Sequence, residues 1–288
     1  MMLMQIIQLP PLVILLAFIL VIVVLLLIRR RLAARGGPVV RQQPPAVQIG
    51  NGQTIGARDE QDDYFATAET PAGTIAVLAD GISGLANGRM ASTTAVSTFI
   101  RQFMNVNSER EIAPFLSQAA RQANGDILRQ LSGSNGGTTA VAAIVCGDAL
   151  HWGAVGDSVI IIYRKGEFIP VNRKHILATV LEERCLSGEI TADQARGNPM
   201  RKRLINYLGY ESFESMDICE EPFRLKPKDK ILLCSDGLYN GLTEIEMDEV
   251  LGRGMPPYEA AEQLIEAIER KRLKNQDNAT IVILEPAL

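Results

Sequence analysis

Two short turns in the middle of the chain most constrain its fold. Gly147-Asp148 and Lys165-Gly166 each separate two apolar runs of strand length. Two-residue connections that contain glycine are typical of antiparallel hairpins, whereas parallel strands need crossovers of a dozen or more residues. We therefore expect antiparallel sheets, and a doubly wound parallel fold is excluded.

The pattern of apolar residues predicts both strands and helices. Strand-like runs lie at residues 74–79, 139–146, 149–155, 159–164, 167–171, 230–235 and 279–284. Helical periodicity covers residues 91–104, 114–131 and 257–274, with Pro114 suited to a first helical position. Capping boxes are predicted at Thr191 to Gln194 and at Thr243 to Glu246. This mixture indicates an α+β sandwich in which sheets pack between helices.

Composition excludes several classes of protein. The chain has 288 residues, 47% of them hydrophobic, which allows a sizeable core. Its four cysteines show no CxxC spacing and only two histidines accompany them, which speaks against a zinc site or a disulfide framework. The five arginines of residues 1–50 leave 24 of the 29 basic residues to face all 33 acidic residues in the remainder. That remainder has no general attraction for nucleic acid or anionic lipid.

The segment at residues 9–28 contains twenty residues without a charge. This is the length of a transmembrane helix. A cleaved signal peptide is the alternative, but no basic residue precedes the segment and no small-residue cleavage site follows it. Arginines follow it at once, so the positive-inside rule places the rest of the chain in the cytoplasm.

These features predict four parts in the chain. They are an extracytoplasmic segment at residues 1–8, the transmembrane helix at 9–28, a basic, Pro- and Gly-rich tether at 29–50 and one folded domain at 51–288. The prediction is a single-pass protein of the cell membrane, with its N-terminus outside and its folded domain in the cytoplasm.

Aspartates follow or precede apolar strands at four places, and they are Asp80, Asp157, Asp236 and Asp277. A single such residue is usually a turn residue or a helix cap. Four carboxylates brought together would repel one another unless a cation neutralised them, and oxygen ligands suit magnesium or manganese. Glycine after Asp80 lets the backbone turn sharply, so the Gly81 carbonyl could also reach a metal.

A further acidic element lies at residues 56–65. Asp62 and Asp63 adjoin the start of a strand, and Arg58 precedes them by four residues. The guanidinium of arginine presents a fork of donors that suits phosphate oxygens. The alternative is a solvated acidic turn beside an exposed arginine.

In this order, these motifs resemble the metal-dependent serine/threonine protein phosphatases of the protein phosphatase 2C type, bacterial branch. The resemblance runs from residue 51 to residue 288 and rests on short motifs. The motifs are Arg58-x-x-Gln61-Asp62-Asp63, Asp80-Gly81 with Gly84 and Ala91-Ser92, Gly137-Thr138-Thr139-Ala140, Gly156-Asp157-Ser158, Ser235-Asp236-Gly237-Leu238 and Asp277-Asn278-Ala279-Thr280. The resemblance implies a four-layer αββα sandwich of two antiparallel sheets flanked by helices.

The resemblance also implies a site for two metal ions, Mn²⁺ or Mg²⁺. Asp80 would bridge both ions. One ion would also be held by Asp236 and Asp277, and the other by Asp62 and the Gly81 carbonyl. A water between two such ions is acidified and attacks phosphorus in line, so no protein nucleophile is needed.

Three further roles follow from the same resemblance. Asp63 would support the ions from behind, Asp157 would hold a third and weaker ion together with Asp236, and Arg58 would bind the substrate phosphate. The implied substrates are proteins phosphorylated on serine or threonine by a kinase, reached at the membrane. No role in binding nucleic acid is expected.

The sequence departs from the family pattern at three positions. Ile82 stands where many members have histidine, Asp62 replaces a more usual glutamate, and Asn240 stands where an acidic residue is common. These departures keep a second hypothesis open, a weakened phosphatase fold that binds phosphorylated partners at the membrane. A third hypothesis is a phosphoesterase acting on small molecules.

Residues 172–209 resemble the family's mobile flap, and we call them the flap-like segment. They contain the most basic cluster of the domain, at Arg201, Lys202 and Arg203. This cluster is either a solvated helix face or a contact for an acidic or phosphorylated substrate. His151 and His175 are expected to be structural.

Overall fold

The computed structural model describes residues 20–25, 27, 46–82 and 87–288. The chain divides into two units, Met1–Pro44 and Pro45–Leu288, and almost all of the described residues belong to the second. In the first unit, residues 20–25 and 27 are helical.

The second unit alternates strands and helices. Its described strands are β1 (Val47–Thr54), β2 (Asp63–Thr70), β3 (Gly73–Asp80), β4 (Ala140–Cys146), β5 (Ala149–Val155), β6 (Val159–Arg164), β7 (Glu167–Pro170), β8 (Asp217–Ile218), β9 (Phe223–Arg224), β10 (Lys230–Cys234) and β11 (Ala279–Pro286). Its described α-helices are α1 (Gly88–Phe103), α2 (Ile112–Leu131), α3 (Leu177–Leu186), α4 (Ala192–Arg196), α5 (Asp236–Gly241), α6 (Glu244–Leu251) and α7 (Pro257–Lys271).

The described strands form two sheets in which neighbouring strands are antiparallel. One sheet has the order β1-β11-β10-β6-β7, and the other has the order β2-β3-β4-β5-β8, with β9 also on β5. Both predicted hairpins are present, β4 with β5 and β6 with β7. Lys165 and Gly166 have φ values of 52° and 87°, as a tight hairpin turn requires. The prediction of an α+β fold with two antiparallel sheets is confirmed.

The core lies in three apolar clusters that separate the layers. Strands β3 and β4 are buried on both faces, so they read as nearly continuous apolar runs. In β3, Ile75 and Val77 face helices α1 and α2, whereas Ala76 and Leu78 face the other sheet. A third cluster packs α5, α6 and α7 on the outer face of the sheet that contains β10 and β11. The sheets are thus sandwiched between helices.

The helices begin and end close to where the pattern predicts. Both capping boxes are present, at the starts of α4 and α6. Helix α2 begins at Ile112, so Pro114 is the third helical residue and not the first. It is tolerated there because the backbone N–H groups of the first turn need no partner within the helix. Helix α7 ends at Lys271, since Arg272 adopts a left-handed conformation with φ of 48°.

Strand β1 begins inside the segment predicted as a tether. Val47–Thr54 pairs with β11 along its whole length, from Val47 opposite Pro286 to Thr54 opposite Ala279. Residues 47–50 are therefore part of a sheet, four residues before the predicted start of the domain at 51. A Cβ atom at Gly50 would lie 2.0 Å from the Pro257 carbonyl oxygen, so only glycine permits this strand to approach α7.

The prediction of a transmembrane helix at residues 9–28 needs correction. Within the part of the chain that the structure describes, no helix combines the length and the apolar composition needed to cross a bilayer. A span needs ~20 helical residues, because each adds only ~1.5 Å to a core ~30 Å thick. Of the predicted span, residues 9–19, 26 and 28 lie outside the described residues. The predicted single-pass placement in the cell membrane is contradicted by this finding.

Candidate functional site

The four aspartates singled out at strand ends meet in one cavity. Asp80, Asp157, Asp236 and Asp277 all line a cavity of ≈ 340 Å³. The other described residues that line it are Ile82, Thr139, Lys202, Arg203, Leu204 and Tyr207. The cavity therefore has an acidic wall, formed by these aspartates, and a basic and aromatic part that the flap-like segment contributes.

Each sheet contributes two of the four aspartates, at the end of a strand or within two residues of it. Asp80 is the last residue of β3 and Asp157 lies two residues after β5, in one sheet. Asp236 follows β10 as the first residue of α5, and Asp277 lies two residues before β11, in the other sheet. Residues at strand ends are held by the sheet ladders, so the acidic wall is built on rigid elements.

Two threonines fix the backbone of Asp80. Its N–H donates to Thr139 Oγ1 at 3.0 Å, and its carbonyl accepts from Thr138 Oγ1 at 2.8 Å and from the Thr139 N–H at 2.9 Å. Thr139 Oγ1 also lies 2.8 Å from Ser158 Oγ, beside Asp157. The Gly137 to Ala140 motif thus positions Asp80 through hydrogen bonds to its backbone.

Asp63 lies behind this wall and is almost fully buried, with 2% of its surface exposed. Its Oδ2 accepts a hydrogen bond from Ser235 Oγ at 2.8 Å. Among the described residues, its Oδ1 and Thr280 Oγ1 are the buried side-chain oxygens without a hydrogen-bond partner. Burial raises the pKa of Asp63 to about 6, and the hydrogen bond from Ser235 acts in the opposite direction. A buried carboxylate with one bare oxygen indicates that positive charge belongs nearby.

The carboxylates of the acidic wall are buried and repel one another, so their charged forms are disfavoured. Burial raises the pKa of Asp80 well above its ordinary value, and repulsion from Asp63, Asp236 and Asp157 raises it further. Burial likewise raises the pKa of Asp236 to about 7, with repulsion from Asp157 as the next cause. The protein by itself therefore leaves negative charge here without sufficient compensation.

Arg58 forms an ion pair with the wall from outside. Its Nη2 donates to Asp277 Oδ2 at 2.7 Å, and the Asn278 N–H donates to Asp277 Oδ1 at 2.9 Å. The Arg58 side chain is 44% exposed and is absent from the described lining of the cavity. In this structure Arg58, which is predicted to bind phosphate, contacts Asp277, which is predicted to bind a metal ion.

Asp62 and Gly81 lie beside the cavity and not in its lining. The Asp62 N–H donates to Asn278 Oδ1 at 2.8 Å, and its carbonyl accepts from the Gly81 N–H at 3.2 Å. A Cβ atom at Gly88, the first residue of α1, would lie 3.3 Å from Asp62 Oδ2. Burial raises the pKa of Asp62, and a hydrogen bond from the Arg89 backbone lowers it in part.

The described donor groups of the site have the chemistry of metal ligands, although they do not form a closed ligand set. No set of three or more His, Cys, Asp or Glu side chains among the described residues is already closed around a common point. The donor chemistry nevertheless fits a hard divalent cation, because the wall consists of carboxylates with raised pKa values and Asp63 keeps a bare oxygen. The residues present are consistent with such an ion.

The basic cluster of the flap-like segment is divided by its position. Lys202 and Arg203 line the cavity, whereas Arg201 is exposed and does not. Arg201 and Lys202 lie in a turn and Arg203 has no regular secondary structure, so the alternative of a solvated helix face does not apply. A Cβ atom at Gly137 would lie 2.6 Å from the ring of Tyr207. Glycine at this position therefore leaves room for the ring beside the cavity.

Two departures from the family pattern also lie in the site. Ile82 lines the cavity, and Asn240 Nδ2 donates to Asp236 Oδ2 at 3.4 Å. His151 and His175 lie outside the lining, where they pair with Glu109 and Asp217 at 2.9 Å each. Neither histidine is placed to act on a group in the cavity.

Sequence reasoning missed Lys174 and Tyr239, which lie close to Asp157 and Asp236 of the acidic wall. Lys174 Nζ is 3.5 Å from the centroid of the Tyr239 ring. The only signal in the sequence is that both lie close to predicted site residues, Lys174 beside His175 and Tyr239 three residues after Asp236.

Comparison with known proteins identifies relatives over most of the folded unit. A family model described as Protein phosphatase 2C matches residues 53–276. The serine/threonine phosphatase stp of Listeria monocytogenes serovar 1/2a is 30% identical over 224 residues, which cover 73% of this chain and 84% of that protein.

Solved structures share the fold. The Streptococcus agalactiae serine/threonine phosphatase superposes with a TM-score of 0.73 at 24% identity, over 83% of this chain and 99% of that chain. The catalytic domain of the phosphatase PstP, solved with two manganese ions, gives 0.66 at 25% identity, over 83% of this chain and 97% of that chain.

Proposed function

Because the chain belongs to the protein phosphatase 2C family, we propose that it removes phosphate from phosphoserine and phosphothreonine side chains of proteins. The predicted enzyme class, a phosphoric monoester hydrolase that acts on proteins, is confirmed by this membership. One observation carries the more specific proposal: four aspartates from two different sheets converge on one cavity. The kinase that phosphorylates the substrates is expected to be specific for serine and threonine.

We further propose that the acidic wall holds two divalent cations, Mn²⁺ or Mg²⁺. Asp80, Asp236 and Asp277 would hold one cation, and Asp80, Asp62 and the Gly81 carbonyl would hold the other. The solved relative PstP with two manganese ions supports this number. Bound in this way, the cations supply Lewis acidity and an acidified water.

The remaining residues support these ligands. Asp63 would support the two cations from behind their ligands, since its Oδ2 is fixed by Ser235 and its Oδ1 has no hydrogen-bond partner. The family resemblance would add a third and weaker ion at Asp157 together with Asp236, and that ion is not part of this proposal. All of these groups are carboxylate or carbonyl oxygens, which magnesium and manganese prefer.

Cationic side chains are proposed to bind the substrate. Lys202 and Arg203 line the same cavity as the acidic wall and would attract a phosphate or acidic residues next to it. Arg58 keeps its proposed role in phosphate binding, because its exposed guanidinium becomes available when Asp277 is engaged elsewhere. Ile82 cannot give a proton to the leaving oxygen, so that proton would come from water or from a group of the substrate.

A module that binds phosphorylated partners with little turnover is the second candidate. The observation that favours it is the position of Asp62, which lies beside Gly88 and outside the cavity lining. A carboxylate that does not reach the second ion would leave phosphate binding intact and hydrolysis weak.

The test measures phosphate release from phosphothreonine and phosphotyrosine peptides in Mn²⁺, with and without EDTA. We expect release from phosphothreonine, and its loss in EDTA. Asp236→Asn should lower turnover by about 100-fold or more. Asp193→Asn is the matched control, because Asp193 is 92% exposed and pairs only with Arg196 among the described residues. Turnover that survives EDTA or Asp236→Asn would contradict the metal mechanism, and binding without turnover would favour the second candidate.

A further inference from the structure

Lys174 places a positive charge near two aspartates of the acidic wall, Asp157 and Asp236. Its Nζ lies 3.5 Å from the centroid of the Tyr239 ring. The Tyr239 hydroxyl in turn donates to the Asp157 carbonyl at 3.1 Å. Lys174 does not belong to the described lining of the cavity. It therefore reaches the site through Tyr239, whose hydroxyl is bonded to the backbone of Asp157, and not through the described lining of the cavity.

The backbone around Lys174 is held against the strand that follows Asp157. The Val171 N–H donates to the Ile160 carbonyl at 3.0 Å, and the Ile160 N–H donates to Asn172 Oδ1 at 2.7 Å. The His175 N–H donates to the Gly156 carbonyl at 2.8 Å. These contacts hold the chain on both sides of Lys174 against the chain on both sides of Asp157.

The electrostatics are reciprocal between Lys174 and two carboxylates. Burial lowers the pKa of Lys174, and attraction to Asp157 and Asp236 acts in the opposite direction. Burial raises the pKa of Asp157, and Lys174 is the charge that opposes this rise. Among the described residues, the ammonium rests on the ring of Tyr239, and it acts on the carboxylates at longer range.

We propose that the Lys174 ammonium is the resident cation of Asp157 and Asp236 and replaces the third metal ion, so that the chain binds two divalent cations. This inference rests on the proposed function, because it concerns the number of ions at the same site. A divalent cation beside Asp157 would meet the like charge of Lys174 in a partly buried place. The ring of Tyr239 stabilises an ammonium held on its face.

As a resident cation, Lys174 has a property that a weak metal site lacks. A covalently attached cation does not dissociate, so the charge beside Asp157 is independent of the metal concentration. A titration with Mn²⁺ should therefore end at two ions per chain, without a weaker phase at millimolar concentration.

The experiment counts Mn²⁺ ions per chain by equilibrium dialysis and follows binding by calorimetry. We expect two ions for the unmodified protein and for Lys174→Arg, which keeps the charge. Lys174→Met removes the charge at similar length and should gain a third, weaker ion. Lys274→Met is the matched control, because Lys274 is exposed after α7, and it should bind two ions.

Each outcome decides the inference. Three ions in the unmodified protein, or two in folded Lys174→Met, would overturn it and leave the proposed function standing. If circular dichroism shows that Lys174→Met does not fold, Asp157→Asn decides instead. Two ions in Asp157→Asn support the inference, and a fall from two to one overturns it. An unmodified protein that binds no ion would overturn the proposed function and this inference together.

Discussion

Asp63 and Asp80 stand directly opposite each other in the β2–β3 ladder. Like charges at such a cross-strand position destabilise a sheet. Both carboxyls have raised pKa values, chiefly because they are buried. The sheet thus brings two carboxylates together at a cost to the stability of the protein without metal, and the first prediction follows from this cost.

Stability without metal should fall as the pH rises. Asp63 has a pKa of about 6 and Asp236 of about 7, both above the ordinary value of 3.8. A carboxyl that binds its proton more tightly in the folded state stabilises the fold at low pH. This stability is lost as the pH rises from about 4 to about 7. In EDTA, we expect the thermal midpoint at pH 5 to exceed that at pH 7 by a few degrees, roughly.

Two comparisons assign this effect to the site. Asp63→Asn should reduce the difference between the two pH values, because it removes one of the opposed carboxylates. Addition of Mn²⁺ at pH 7 should raise the midpoint, since a ligand that binds the folded state stabilises it. A midpoint in EDTA that rises between pH 5 and pH 7 would contradict the prediction.

Gly237 should tolerate no side chain. A Cβ atom there would lie 2.0 Å from the Asn278 carbonyl oxygen, next to Asp277. Gly237→Ala should push helix α5 away from the backbone at Asn278, lower the free energy of unfolding by ~1–3 kcal/mol and weaken Mn²⁺ binding. Chemical denaturation and calorimetry measure the two effects.

Gly125→Ala is the control for this substitution. Gly125 lies inside helix α2, and the nearest atom to an added Cβ would be Arg129 Nη1 at 3.6 Å. It should stabilise the protein by roughly 0.5–1 kcal/mol, because glycine is unfavourable inside a helix. Equal stability of the two variants would show that the contact at Gly237 can relax.

Residues 47–50 should be needed for full stability. A chain that starts at residue 51 loses four of the eight residue pairs between β1 and β11, including Val47, which is 8% exposed. Compared with a chain that starts at residue 45, its free energy of unfolding should be lower by about 2–3 kcal/mol. Thermal unfolding of both chains in the same buffer tests this, and equal midpoints would contradict it.

Lys202 and Arg203 should contribute to substrate binding more than to the chemical step. Alanine at either position should raise KM for an acidic phosphopeptide by about 2–5-fold and leave kcat little changed. The effect should shrink at high salt, because it depends on attraction between exposed charges. Arg201→Ala is the control, since Arg201 does not line the cavity, and an equal effect there would argue against specific contacts.

The sequence predicts contacts that are local or repeated, and it misses contacts made at a distance. The hairpins and both capping boxes depend on residues within a few positions of each other, and all are found. The ion pair between Arg58 and Asp277 joins residues 219 positions apart, so no local pattern reveals it. The cation–π contact of Lys174 with Tyr239 also depends on how separate elements pack.

The start of β1 was missed for a different reason. Residues 36–50 are rich in Gly, Pro and Gln, and this composition is typical of a linker. Strand Val47–Thr54 is stabilised by pairing with β11 and by packing against α7, not by its own propensity. Tertiary contacts therefore override composition here. The convergence of the four aspartates was predictable because strand ends gather at the edges of sheets.

Strand β11 lies between β1 and β10 in its sheet. During synthesis it emerges after every other described strand, although its partner β1 is made first. At roughly 5–20 residues per second, on the order of 10–50 s separate the two strands. Asp277 reaches the cavity only in this final stage, two residues ahead of β11. A nascent chain therefore cannot assemble its acidic wall until translation of the domain is nearly finished.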